Sequence, residues 1–261
     1  MEFVRNIFQD LYRKILYIML RKNKFNKSMR QKFSIIIPIL NEKKNILKLI
    51  YEIKKKLIQK NYEVIFVDDN SNDGSIKILK KINLIDKRFC FILHKGQRDL
   101  TQSCFQGIKK AKNDLIVIMD GDLQHNPSYI NILLKKILSD KSDLVIASRD
   151  FKKTQTDSLS LIRIIFSRIL IFFLKLMFGK NYIDPMSGFF LFKKKIFSKN
   201  RKLFYGKGYK ILADFIYNVP NIKISEIIIK FRGRKQGSSK MNFKILFLLI
   251  IFMISKFLRI N

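Results

Sequence analysis

Between residues 33 and 148 the chain alternates short, continuous apolar runs with longer stretches whose apolar positions recur every three or four residues. The runs lie at 33–38, 62–67, 89–93, 115–119 and 144–148, and each has the length and composition of a strand buried on both faces. Helical periodicity fills 43–60, the segment after Ser75, 99–112 and 127–139. Strands of this kind separated by helices predict βαβ units around a mostly parallel sheet with helices on both faces, an α/β fold. Ligands of such sheets sit beyond the carboxyl ends of the strands, so the chemistry is expected just after each run.

Three further stretches carry a different pattern. Residues 1–32 place Phe3, Ile7, Leu11, Ile15 and Ile18 at helical spacing among basic residues, which predicts a basic amphipathic extension. No small-residue cleavage site follows it, so no secretory signal is expected. Residues 158–178 interrupt Ile, Leu and Phe with Arg163, Arg168 and Lys175. The last stretch, 242–261, contains eleven uncharged residues, 245–255, between Lys244 and Lys256. A membrane span needs about 20, so this segment is expected to lie in the interface or be buried, or to span only if both lysines snorkel.

The 261 residues include 53 Lys+Arg against 20 Asp+Glu, a formal charge of +33, yet 48% are hydrophobic, which excludes a disordered chain. Two cysteines, Cys90 and Cys104, exclude a disulfide-stapled scaffold and read as reduced core thiols. The charge is uneven: 33–150 holds 14 of the 20 acids, whereas 151–261 has 23 basic side chains and 4 acidic ones. An ordinary domain is thus flanked by segments suited to an anionic surface, with heavy lysine usage raising the background.

The strand ends carry the informative side chains: Asn41 and Glu42 after the first, Asp68 and Asp69 at the second, Asp120 and Asp122 after the fourth, and Arg149 at the fifth. Neither G-x-G-x-x-G nor G-x-x-x-x-G-K-[ST] is present, which disfavours a dinucleotide-dependent oxidoreductase or a P-loop nucleotidase. Clustered carboxylates repel unless a cation joins them, so Mg²⁺ or Mn²⁺ bound through oxygen is the natural occupant.

Read in order, these pieces resemble the family 2 glycosyltransferases of GT-A (Rossmann-like) fold, in particular their dolichol-phosphate (polyprenol-phosphate) mannosyltransferase branch. The matching runs are Ile37-Pro38-Ile39-Leu40-Asn41-Glu42, Val67 to Ser75, Arg98-Asp99-Leu100-Thr101 through Gly107, and Met119 to Pro127. Ala147-Ser148-Arg149, Asp184 to Phe189 and Arg234 to Lys240 complete the series, so the resemblance covers about 33–241. It departs at Leu40, where a Tyr is usual, and at Asp214, where a Glu is common.

The resemblance implies a GT-A domain over 33–241, with 158–178 as an acceptor-side helix and 242–261 as a membrane anchor. It implies Pro38, Asn41, Glu42, Val67, Asp69, Asp120, Lys210, Arg234 and Lys240 on the nucleotide-sugar donor, and Asp120, Asp122 and Gln124 around the metal. It places Arg149, Arg163 and Ser167 on the acceptor phosphate, with Asp122 and Arg149 as the catalytic residues. His125 is expected beside the metal set, and Asp184 either orients the acceptor side or shapes a turn.

The implied reaction is inverting transfer of one sugar, foremost mannose from GDP-mannose, onto polyprenyl or dolichyl phosphate at the cytoplasmic membrane face. Glucose, N-acetylglucosamine or an aminoarabinose-type sugar from a UDP donor is the alternative. A lipid phosphate has a second pKa of about 6 and needs no general base to become a nucleophile, in keeping with a chain that has only two histidines. A reading of a different class, a basic membrane- or nucleic-acid-binding module without catalysis, explains the charge but not the acids at strand ends. Nucleic acid is therefore not expected as a partner.

Overall fold

A computed structural model describes residues 31–58, 60–149, 184–208 and 211–230. Its strands are β1 (Phe33–Ile39), β2 (Tyr62–Asp68), β3 (Phe89–Leu93), β4 (Leu115–Ile118), β5 (Leu144–Arg149), β6 (Phe190–Lys193) and β7 (Ile224–Ile229). Its α-helices are α1 (Lys43–Lys56), α2 (Ser75–Ile85), α3 (Leu100–Lys110), α4 (Tyr129–Ser139), α5 (Lys194–Lys199) and α6 (Ile211–Asn218). The strands form one sheet in the order β3-β2-β1-β4-β6-β5-β7. Every neighbouring pair is parallel except the two that involve β6.

The central apolar strands bury both faces, as expected: all seven residues of β1 and all four of β4 are buried, whereas β3 departs because it forms the sheet edge, and only its Phe89 is buried. One face packs against α1, α2 and α4 through Ile46, Leu49, Ile53, Leu79, Leu133 and Leu134. The other packs against α3, α5 and α6, where Phe105, Phe197, Phe204 and Phe215 stack with centroids 4.6–6.3 Å apart. Part of the chain's abundant phenylalanine is thereby explained, since rings at such spacing contribute beyond their buried area.

Helix α1 stops at Lys56, four residues short of the sequence reading. Asn131 of α4 accounts for the end: its Nδ2 donates to the Lys56 carbonyl (3.0 Å) and its Oδ1 accepts from Ile58 N–H (3.4 Å). These bonds satisfy backbone groups that a helix terminus leaves without intrahelical partners. The sequence reading also stopped at β5. The return strand β6 is Phe190-Leu191-Phe192 with Lys193, inserted antiparallel between β4 and β5, and it carries the turn 184–189 back to the edge where β1, β2, β4 and β5 end. All strand-end side chains of interest therefore share one edge with that turn.

Among the described residues, no helix is long and apolar enough to cross a membrane. The expectations for 1–30, 158–178 and 242–261 lie outside the described residues. Both cysteines are free thiols; Cys104 is fully buried and Cys90 half-buried, and burial pushes each thiol above its ordinary pKa.

Helix α3 lies close against β1 and β2 at Gly107, where an added Cβ would sit 2.3 Å from Ile36 Cγ2 and 3.0 Å from Val67 Cγ2. Gly107→Ala gains about 1 kcal/mol in helix propensity but overpacks a rigid core, which costs about 1–3 kcal/mol. At 2.3 Å from a branched buried side chain the clash wins, so chemical denaturation of this variant should show a net loss of roughly 1–2 kcal/mol.

A second expectation concerns acid. Asp140 is held down to about 2, above all by the Ser139 hydroxyl, with Ser225 and Lys136 adding to it against the opposing effect of burial. A folded-state pKa below the ordinary 3.8 contributes stability that is present above pH 4 and lost as the pH falls through 2. Asp140→Asn should therefore flatten the decline in thermal midpoint between pH 4 and pH 2 while leaving the midpoint at pH 7 lower than that of the wild type.

Candidate active site

The carboxyl edge carries three groups of side chains. At β1 and β2, Pro38 and Val67 are buried register partners, and Asp69 follows directly after β2. Asp69 N–H donates to the Ile39 carbonyl (2.9 Å), and its Oδ1 accepts from His94 Nδ1 at 2.6 Å. Both side chains are at least nine-tenths buried. Asn41 stands at φ 56°, a left-handed turn that Asn tolerates. It ties the two strand ends together, taking Asn72 N–H on its Oδ1 (2.9 Å) and giving its own N–H to Ser71 (2.8 Å). Glu42, half-buried at the start of α1, accepts from Asn45 Nδ2 at 2.6 Å.

The second group follows β4. Asp122 is buried and accepts from the Gln124 backbone N–H (3.1 Å), a tight turn helped by Leu123 at φ 66°. Asp120 is more open, its side chain 39% exposed, and its Oδ2 accepts from His125 Nε2 at 3.2 Å. His125 is buried beneath it against the Phe189 ring, with centroids 5.1 Å apart. Gly188 approaches so closely that an added Cβ would lie 2.3 Å from Asp120 Oδ2. A small cavity beside Asp120 is lined by Pro38, Cys104, Ile118, Met186, Gly188 and Leu212.

The third group joins β5 to the turn before β6. Asp184 has no solvent exposure and grips Arg149 in a fork: Nε to Oδ2 at 2.6 Å and the second nitrogen to Oδ1 at 2.9 Å. Burial opposes the charge on Arg149, but Asp184, helped by Asp120, overcomes it and holds the guanidinium above its ordinary pKa. Asp184, left open between acceptor side and turn, is thus the partner that orients Arg149. Ser187, also buried, donates to the Ala147 carbonyl (2.7 Å) and fixes the turn against β5.

The structure thus gathers Pro38, Asn41, Glu42, Val67, Asp69, Asp120, Asp122, Gln124 and Arg149 along one edge. Lys210, Arg163, Ser167, Arg234 and Lys240 lie outside the described residues. Among the described residues no group of three or more His, Cys, Asp or Glu side chains could hold a metal ion. The expected set of two carboxylates and one amide does not require such a group, because Mg²⁺ and related ions complete their shells with water and substrate phosphate. Its donors are all oxygen, which fits a hard divalent cation.

Three participants had no role in the sequence analysis: His94 on Asp69, and Asp99 at the start of α3 and Gly188 against Asp120, which lay within the matching runs. His94 directly follows an apolar run, the one signal that could have singled it out.

A family model described as glycosyl transferase family 2 matches residues 34–201. A dolichol-phosphate mannosyltransferase of Pyrococcus furiosus is 31% identical over 219 residues, 83% of this chain and 61% of that protein. The Saccharomyces cerevisiae protein of the same name is 28% identical over 227 residues, 84% of each chain. This chain thus spans about three fifths of the archaeal relative and most of the yeast one. The crystal structure of glucosyl-3-phosphoglycerate synthase from Mycobacterium tuberculosis, in complex with Mn²⁺, uridine diphosphate and glucosyl-3-phosphoglycerate, superposes with a TM-score of 0.65. It covers 89% of this chain and 81% of its own at 16% identity, a likeness of fold. With residues 34–201 matched and the strand-end acids in place, the chain belongs to glycosyl transferase family 2.

Proposed function

We propose that this chain is an inverting hexosyltransferase that moves one sugar from a nucleotide diphosphate donor onto polyprenyl or dolichyl phosphate. Mannose from GDP-mannose is the leading donor, since the relatives above carry the name dolichol-phosphate mannosyltransferase. One observation carries the reading: the Asp120/Asp122 pair and the forked Arg149–Asp184 pair stand on the same edge, close enough for Asp120 to act on Arg149 electrostatically.

Asp69, with Pro38 and Val67, forms the nucleoside end of the cleft, and Asp120, Asp122 and Gln124 the diphosphate end. A divalent cation held there neutralises charge on the departing diphosphate; the superposed mycobacterial enzyme was crystallised with Mn²⁺. Arg149, held by Asp184 through Nε and one terminal nitrogen, binds the acceptor phosphate through its guanidinium, a group suited to oxyanions. A phosphate oxygen attacks the anomeric carbon as the bond to the diphosphate breaks. Nucleophile and leaving group are both anionic already, so no proton must move. The chain's two histidines are spent elsewhere, His94 on Asp69 and His125 on Asp120. Arg163 and Ser167 complete the acceptor site, and Lys210, Arg234 and Lys240 the donor site. The basic segments at both ends rest on the cytoplasmic membrane surface.

The test is a panel of GDP- and UDP-sugars with Mg²⁺ or Mn²⁺ and polyprenyl phosphate. Wild type should transfer one sugar, and Asp122→Asn should lower the rate at least 10³-fold with weakened nucleotide binding. Arg149→Ala should keep nucleotide affinity within threefold but lose transfer. It should also unfold more easily by about 3 kcal/mol, because Asp184 is left buried and unpaired. No transfer from any donor would contradict the proposal.

Gly188→Ala separates geometry from stability. The atoms nearest its Cβ are the Asp120 carboxylate, at the end of a side chain that can rotate away, so the thermal midpoint should stay within about 3 °C. Displacing that carboxylate by about 1 Å should lower transfer roughly 10²-fold.

A further inference from the structure

We propose that Asp99 is a positioning residue that ties the strap 205–208, which precedes Lys210 in sequence, to the nucleoside end of the cleft and so supports binding of the donor diphosphate. The proposal rests on the donor reading above. Asp99 faces two ways. Its backbone N–H donates to Asp69 Oδ1 at 3.3 Å, the oxygen that also takes His94. Its side-chain Oδ2 accepts the Gly208 N–H at 2.7 Å, across 109 residues of sequence.

Side chains from α3 and α6 hold the strap's backbone. Asp214 of α6 accepts the Tyr205 and Gly206 N–H groups, each at 2.9 Å, and Gln102 donates to the Gly206 carbonyl. Thr101 gives both its backbone N–H (3.0 Å) and its hydroxyl (2.8 Å) to the Gly208 carbonyl. Gly206 and Gly208 stand at φ 71° and 84°, a region that glycine enters without penalty. Asp214 and Gln102 therefore hold one end of the strap, and Asp99 with Thr101 the other. The Asp99 end is the one linked to Asp69 and adjacent in sequence to Lys210. Lys207 lies exposed between the two anchors.

A purely structural role for Asp99 is the obvious competitor, because its Oδ1 accepts Gln102 N–H (2.9 Å) and caps α3. Asparagine separates the two roles. It caps helices as well as aspartate does, but it has a single acceptor oxygen. With that oxygen on Gln102, its NH₂ group confronts the Gly208 N–H, donor against donor.

In the full chain, D99N should keep its thermal midpoint within about 2 °C while trypsin cleaves after Lys207 at least tenfold faster. Its affinity for nucleoside diphosphate with Mn²⁺, measured with both GDP and UDP, should fall about tenfold. Affinity for the corresponding monophosphate should change less than twofold. Thr101→Val should move both readouts in the same direction by a smaller factor. Cleavage and diphosphate affinity at wild-type levels in D99N would overturn the proposal and leave Asp99 as a cap alone. If the wild type binds no nucleotide, the donor reading fails, and the cleavage rate still decides the tether: faster supports it, unchanged overturns it.

Discussion

A carboxylate with no access to water cannot remain charged without a partner, and Asp184 is such a carboxylate. The forked contact with Arg149 resolves that problem and in doing so fixes the cleft. It joins the last residue of β5 to the turn before β6, two points 35 residues apart. Buried ion pairs are weak sources of stability, because desolvation offsets the attraction. Retaining one at this edge makes more sense as positioning. Arginine held by its Nε side presents a fixed set of donors, which a flexible lysine does not. Asp120 stands near enough to feel that charge, so acids and cation are balanced within one cleft.

How much of this could be read from the sequence follows from the range of the forces involved. The strands through Arg149 were legible because each writes an uninterrupted apolar run, even edge strand β3, where only Phe89 is buried, and the acids were legible because they sit just past those runs. The antiparallel return of β6 was not, since four residues of Phe190-Leu191-Phe192-Lys193 carry no mark of direction. The end of α1 was misjudged because Asn131, more than seventy residues away, ends it. The Asp184–Arg149, His94–Asp69 and Asp99–Gly208 pairings are likewise tertiary. Each partner looks ordinary until the sheet brings both to the same edge. Gly188 is a plain case: only the nearness of Asp120 makes its missing Cβ matter.

The charge that dominates the composition has little part in the described core. Acids of the described domain are committed to partners within it: Asp86 to Arg88 and Lys54, Asp143 to Lys193, Asp69 to His94. The surplus belongs to the ends of the chain, as the count of 23 basic and 4 acidic residues in 151–261 indicates. A cleft that offers carboxylates to one substrate and a forked arginine to the other suits a reaction between two phosphates. Among the described residues both histidines at this edge are held by acids, His94 by Asp69 and His125 by Asp120, so neither is placed to deprotonate an alcohol.

That last point is the most exposed part of the account. The direct test is to offer the enzyme polyprenyl phosphate and the matching polyprenol side by side, with the same nucleotide-sugar and Mn²⁺. Transfer to the phosphate alone, with a rate that is flat above pH 7 and falls below pH 6 as the acceptor gains a proton, is the predicted result. Comparable transfer to the free alcohol would contradict the account, because deprotonating it requires a base that attack by an ionised phosphate does not use.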